Sequence, residues 1–248
     1  MKLNYKRTIL VGFAFFLISA FWQAYDAIVP LALNYQYGLP HTISGVVMSL
    51  DNILAVFMLP IFGALSDKVM TKYGRRTPFI VIGTVAAVLS FIALTLINGI
   101  QLNALKEAGI VDAYNDAFEA FSAAKKGLKD GLITEEAFTN AEILFNSVKE
   151  NLQAQSLEIT MGNIWSLVGF LGVLLLVLVS MATFRSPAVA LMPDVTVKPL
   201  RSKANAIINL MGTAGGIIIL ALSSIMVMSN KLYSHYIGYV ALVCAVML

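Results

Sequence analysis

Apolar residues fill most of the chain in long uninterrupted runs, separated by short polar clusters and one long polar segment. Histidine aside, the charge-free windows are Thr8–Tyr25 (18 residues), Ala27–Leu50 (24), Asn52–Ser66 (15), Thr77–Leu105 (29), Ile159–Phe184 (26), Ala204–Asn230 (27) and Leu232–Leu248. A bilayer-spanning helix needs about 20 mostly apolar residues. With a turn at Gly38-Leu39-Pro40, the pattern predicts six spans, roughly 9–35, 42–65, 77–99, 163–192, 203–228 and 232–248, the last one short. The basic start ahead of Ile9–Phe21 fits a signal peptide, but no small-residue cleavage site follows and the apolar run resumes at Ala27–Leu33. It is therefore expected to be a retained first span.

Ile100–Gly162 breaks the pattern: five Lys against ten Asp and Glu give it a net charge of −5. Ile110, Tyr114, Ala117, Phe121 and Leu128 recur at helical spacing, as do Phe138, Ala141, Phe145, Val148 and Leu152. Gly127 and Asp130-Gly131 separate the runs, and Thr134 ahead of Glu135-Glu136 is an expected N-cap. The segment reads as an amphipathic helical hairpin, and the organisation as spans 1–3 over 1–99, the hairpin over 100–162 and spans 4–6 over 163–248. Aligning Gly131 with the sixth position of a calcium loop puts Lys126, Leu128 and Ala137 at ligand positions, so calcium binding there is excluded.

Composition narrows the class. Hydrophobic residues make up 58% and charged residues 12% of the 248, against about 25% charged in a soluble domain. This is an all-α membrane protein. One cysteine and two histidines, His41 and His235, leave no metal site to expect, and no motif of a hydrolase, zinc protease or nucleotide-binding loop is present. An enzyme is not expected, nor is nucleic-acid binding.

Charge distribution sets the topology. With the N-terminus in the cytoplasm, inner segments hold 11 Lys and Arg (Lys2, Lys6, Arg7, Lys68, Lys72, Arg75, Arg76, Arg185, Lys198, Arg201, Lys203) and outer ones 6. Five of those six fall in the long polar segment, where the positive-inside rule counts for little. The hairpin is thus expected outside a cell (plasma or inner) membrane.

Outside the hairpin only four acids occur: Asp26, Asp51, Asp67 and Asp194. Asp26 and Asp51 fall inside spans 1 and 2, where a carboxylate costs about 2.5–3.5 kcal/mol and its default reading is functional. Nine residues separate each from the outer end of its span, or about 13 Å at 1.5 Å per residue, so both sit near mid-membrane. Trp22, Gln23 and Tyr25 neighbour Asp26; Ser49 and Asn52 neighbour Asp51. Such surroundings suit a hydrated cavity for a polyhydroxylated or cationic ligand; helix–helix hydrogen bonding is the alternative. Arg185 lies about 12 Å inside span 4 and either snorkels or faces the cavity. Asn205, Asn209, Gly212 and Gly216 form one stripe on span 5, where close packing at Gly212-x-x-x-Gly216 is the first expectation and the two amides are candidates to line a pathway.

Gly63-Ala-Leu-Ser-Asp67-Lys68, followed by Gly74-Arg75-Arg76-Thr-Pro-Phe-Ile80, resembles the loop 2–3 signature of the major facilitator superfamily. Its spacing, with Ala190–Asp194 and Lys198–Ala206, is similar to the glycoside–pentoside–hexuronide:cation symporters and the related sucrose-type proton symporters. The resemblance implies the N-terminal six-helix half of a twelve-helix fold, with the hairpin as an insertion. It implies a sugar or glycoside symporter working by alternating access with H⁺ or Na⁺ as coupling ion and no other cofactor. Its partners would be a small solute, the bilayer and a second half. Asp51 and Asp26 would couple the cation; Asp26, Trp22, Gln23, Tyr25, Asn52, Asn205 and Asn209 would meet substrate. Gly63, Asp67, Lys68, Gly74, Arg75, Arg76 and Asp194 would hold the cytoplasmic gate. The chain ends in mid-span at Val246-Met247-Leu248, as expected of a fragment or of a half that needs a partner. The alternative class is a non-transporting membrane scaffold or sensor that displays the hairpin.

Overall fold

The computed structural model describes residues 3–72, 74–227 and 232–248. Lys2, Tyr73, Lys231 and Met228, the expected end of span 5, lie outside them. Among the described residues the chain forms eight α-helices and no strand: α1 Tyr5–Leu31, α2 His41–Lys68, α3 Thr77–Glu107, α4 Ile110–Lys129, α5 Glu135–Gly162, α6 Ile164–Val195, α7 Arg201–Met226 and α8 Ile237–Met247. Five stretches, α1 with its continuation, α2, α3, α6 and α7, are long and apolar enough to cross a membrane. α8 is apolar but has 11 residues, about 16 Å of helix. This is an all-α, multi-pass membrane protein.

Local chemistry sets the boundaries. Asn4 caps α1, its side chain accepting from the Arg7 N–H. Pro30 sits inside α1 and deprives the Asp26 carbonyl of its helical donor; a turn of π-helix over Ala32–Gln36 then carries the chain on. Gly38 has φ +68°, and a Cβ there would meet the backbone of Leu157. Only glycine lets the α1–α2 turn lie this close to α5. Pro78 opens α3, and Thr134 caps α5 as expected, accepting from the Ala137 N–H.

The central packing pairs α1 with α7 and α3 with α6, with α2 laid against α6. At Gly215 of α7 a Cβ would come within 2.5 Å of the Phe16 carbonyl, and at Gly212 within 3.2 Å of Ser19 Oγ. The tight seam therefore runs along Gly212 and Gly215; Gly216, expected as the second contact, meets only Ser19 Cβ at 4.0 Å. Bulky side chains, including Phe21, Phe91, Phe170 and Phe184, fill the core between these helices. α2 contributes almost nothing to it: Val46, Val56 and Phe57 are over 60% exposed, as expected for a helix facing lipid or another helical layer.

The polar segment is fused to the bundle more closely than its composition suggests. α3 continues without a break to Glu107, because nothing between Gly99 and Ala108 breaks a helix and Leu102 and Leu105 are buried. A left-handed Gly109 (φ +76°) turns the chain into α4, and Asn163 alone separates α5 from α6. The hairpin α4–α5 closes on an aromatic ladder, with Phe121 stacked on Phe145 at 4.8 Å and Tyr114 against Phe118, Phe145 and Tyr233. Burial pushes the Tyr114 and Tyr233 phenols up to about 12. The last helix begins at Ile237 rather than near 232, since the Leu232 and Ser234 carbonyls are taken by the Gln36 side chain at 2.9 and 3.3 Å.

Candidate functional site

Three polar constellations follow one another along the bundle. In the middle lies a cavity of about 610 Å³ between α1, α6 and α7, lined by Ser19, Trp22, Gln23, Asp26, Arg185 and Asn209 among others. Positions 15, 19, 22, 23 and 26 share one face of α1, so the polar residues converge because of helical register. Arg185 faces this cavity; its Cζ stands 5.8 Å from the centre of the Trp22 ring, in cation–π contact. Trp22 and Arg185 also border a small crevice containing Asp51. Asp51 lies close enough to Asp26 and Tyr25 to act on both electrostatically. Its Oδ1 accepts the Asn52 N–H at 2.6 Å. Two carboxylates, one guanidinium and an indole therefore share the mid-bundle site. Among the described residues Arg185 makes no ion pair within 4.0 Å, which leaves its charge available to either acid or to a ligand.

Three expected ligand contacts do not line the cavity. Tyr25 is fully buried, its ring edge-on to Trp22 at 5.3 Å, because it falls on the core face of α1. Asn52 is exposed on α2, and Asn205 is exposed one turn before Asn209 on α7. Ser19 and Thr213 line the cavity and were missed; a helical-wheel reading of polar positions around Asp26 and Asn209 would have found them.

At one end of the bundle a single arginine gathers three partners. Arg76 ion-pairs with Asp67 of α2 at 2.8 Å and with Asp194 of α6 at 2.6 Å, and donates to Ser66 Oγ at 3.3 Å. Its side chain is 10% exposed, the two acids about half. Arg75, expected to share this task, is exposed and makes no ion pair among the described residues. Gly63 lets α6 approach: Ser186 Oγ would lie 3.2 Å from a Cβ there, and donates to the Leu59 carbonyl at 2.7 Å. Gly74 (φ +103°) turns the chain between Thr71 and α3, the Thr71 hydroxyl donating to its carbonyl at 2.6 Å. Lys68 is exposed.

At the other end a buried amide cluster joins four segments, the π-turn after α1, α3, α5 and α6. Asn98 donates to Gln36 Oε1 at 2.6 Å. Gln101 donates to the Gln36 carbonyl at 3.0 Å and to Thr160 Oγ1 at 2.9 Å, and accepts from Ser166 Oγ at 3.0 Å. Single amides scattered through apolar windows carry no sequence signal of such a cluster.

The fold and these constellations define a multi-pass helical membrane protein with a polar interior site and an ion-paired end. Residues 10–102, covering most of α1, all of α2 and most of α3, match the family model described as MFS/sugar transport protein. The chain is 37% identical over 59 residues to sucrose transport protein SUC4 of Arabidopsis thaliana, a stretch of 24% of this chain and 12% of that protein. The chain thus matches a small part of the length of this curated relative. No solved structure matches it. The resemblance read from the loop signature is borne out as a similarity: residues 10–102 resemble the major facilitator sugar-transport family, a family of transport proteins rather than enzymes.

Proposed function

We propose that this chain is the N-terminal half of a cation-coupled symporter for a sugar or glycoside, working by alternating access. The observation that carries the reading is the gathering of Asp26, Asp51, Trp22 and Arg185 about the mid-bundle cavity and the small crevice beside it, with polar walls from α1 and α7. An acid near an unpaired guanidinium exchanges a proton, or a Na⁺, at a cost set by what else occupies the site. Asp51 is the coupling residue. Asp26, Gln23 and Asn209 meet sugar hydroxyls, and Trp22 offers an apolar face to the ring. The cavity is walled by α1, α6 and α7, and a second six-helix half completes it and supplies the opposing wall. The short basic segments place the Arg76 end in the cytoplasm and the hairpin outside a cell (plasma or inner) membrane. Arg76, held by Asp67 and Asp194, latches α2 to α6 on the cytoplasmic side.

The test is gradient-driven uptake by the transporter with both halves, reconstituted in proteoliposomes. Asp51→Asn abolishes accumulation against a gradient while sugar exchange persists. Accumulation that survives the substitution overturns the coupling role. A display scaffold would bind a protein partner through the hairpin and move no solute.

A further inference from the structure

A second polar pocket, apart from the mid-bundle cavity, lies at the root of the hairpin. It encloses about 300 Å³ between the end of α3, the first turns of α4 and the segment before α8, at the lower end of the range for small-molecule sites, about 300–1,000 Å³. Its rim carries the Asn103 and Asn115 amides, the Lys106 ammonium, the Asp112 carboxylate, Ser234 and the His235 imidazole. Leu102, Val111 and Tyr233 add apolar surface. Lys106 and Asp112 both line the pocket and form no ion pair with each other among the described residues.

We propose that this pocket binds one ring of a saccharide, as a site separate from the mid-bundle cavity. The inference rests on the sugar-transport reading above and on the orientation that sets this end outside the membrane. The chemistry favours a neutral polyol. The rim offers both donors and acceptors, and one fixed charge of each sign leaves no net attraction for an ion. Apolar surface beside them matches the C–H face of a pyranose. The volume holds a single ring.

Occupancy has a route to the interior. Ser234 belongs to the pocket, and its carbonyl and that of Leu232 accept from the Gln36 side chain at 3.3 and 2.9 Å. Gln36 closes the π-turn that continues α1, and Asp26 lies ten residues back on the same helix. A ligand bridging Asn115 of α4 to Ser234 fixes the hairpin and this segment together, and through Gln36 biases the end of α1. The hairpin then acts as a capture element for the solute carried below it.

Saturation-transfer NMR on the full chain in nanodiscs, with methyl β-D-glucopyranoside as probe and glycine as a zwitterionic control, tests this. The paired change Asn103→Ala with Asn115→Ala, both on exposed side chains, weakens glycoside binding about tenfold, the worth of one or two hydrogen bonds. Asn115→Trp, which fills the pocket, removes the same component, and Asp26→Asn leaves it in place. Binding unchanged by both pocket variants overturns the proposal, as does a pocket that takes glycine in place of the glycoside. Loss of all glycoside signal on Asp26→Asn alone overturns it too, and leaves the symporter reading standing. A pocket signal with no uptake by the two-half transporter supports the site and sinks the symporter reading.

Discussion

The two ends of the bundle are fastened by opposite chemistry. At one end three charged side chains, Arg76, Asp67 and Asp194, meet at a half-exposed surface. At the other, neutral amides and hydroxyls, Gln36, Asn98, Gln101, Thr160 and Ser166, meet inside the fold. The difference lies in what replaces each contact when it breaks. Water solvates the two exposed acids and screens them, so the ionic end opens at low cost. Buried amides lose their partners without gaining water, so each broken bond costs the desolvation of its group. A joint built from few exposed charges is suited to cycling; one built from buried neutral groups holds the hairpin and bundle as one body.

Breaking the amide cluster gives the largest effect. Gln101→Leu strips partners from the Gln36 carbonyl and leaves the Ser166 hydroxyl without its acceptor. Thermal or denaturant unfolding of the full chain should show a loss of about 2–4 kcal/mol, the cost of orphaning two or three buried groups. A loss near zero would mean that water reaches the cluster and that the hairpin is not rigidly held.

Alkaline titration sharpens the picture of the same end. The Tyr114 and Tyr233 phenols, raised by burial from 10.0 to about 12, contribute stability that is complete below pH 10 and is lost as pH rises through 12. Tyrosinate absorbance should show these two groups titrating late and together with loss of hairpin protection in hydrogen exchange. Titration near pH 10 with the hairpin still protected would remove the phenols from the joint.

Breaking the ionic end has the smallest effect on stability and a distinct effect on access. Arg76→Gln removes both ion pairs, yet with Asp67 and Asp194 about half exposed the cost is about 1 kcal/mol or less. A cysteine introduced at Asn209 in the transporter with both halves should then react faster with a membrane-impermeant thiol reagent from the cytoplasmic side. A stability loss as large as that of Gln101→Leu, with labelling unchanged, would make Arg76 a fixed strut and erase the contrast between the ends.

Much of this molecule was written in its local pattern. Apolar windows set the five long helices, because hydrocarbon admits only backbones satisfied within themselves. The short cluster Gly63–Arg76 marked the ionic end, since Asp67 and Arg76 lie within one connecting segment, with Asp194 joining them from α6. Asp26, Asp51 and Arg185 stood out because a charge inside a membrane is costly and its default reading is functional. Tertiary packing decided the rest. It chose Arg76 over its neighbour Arg75 and turned Tyr25 into the core while leaving Gln23 in the cavity. It moved the tight seam of α7 from Gly216 to Gly215, and it drew Gln36 of one window and Asn98 and Gln101 of another into one cluster. These outcomes depend on which face of each helix meets which neighbour, a rotation of about 100° per residue that hydrophobicity alone does not specify when every face is apolar.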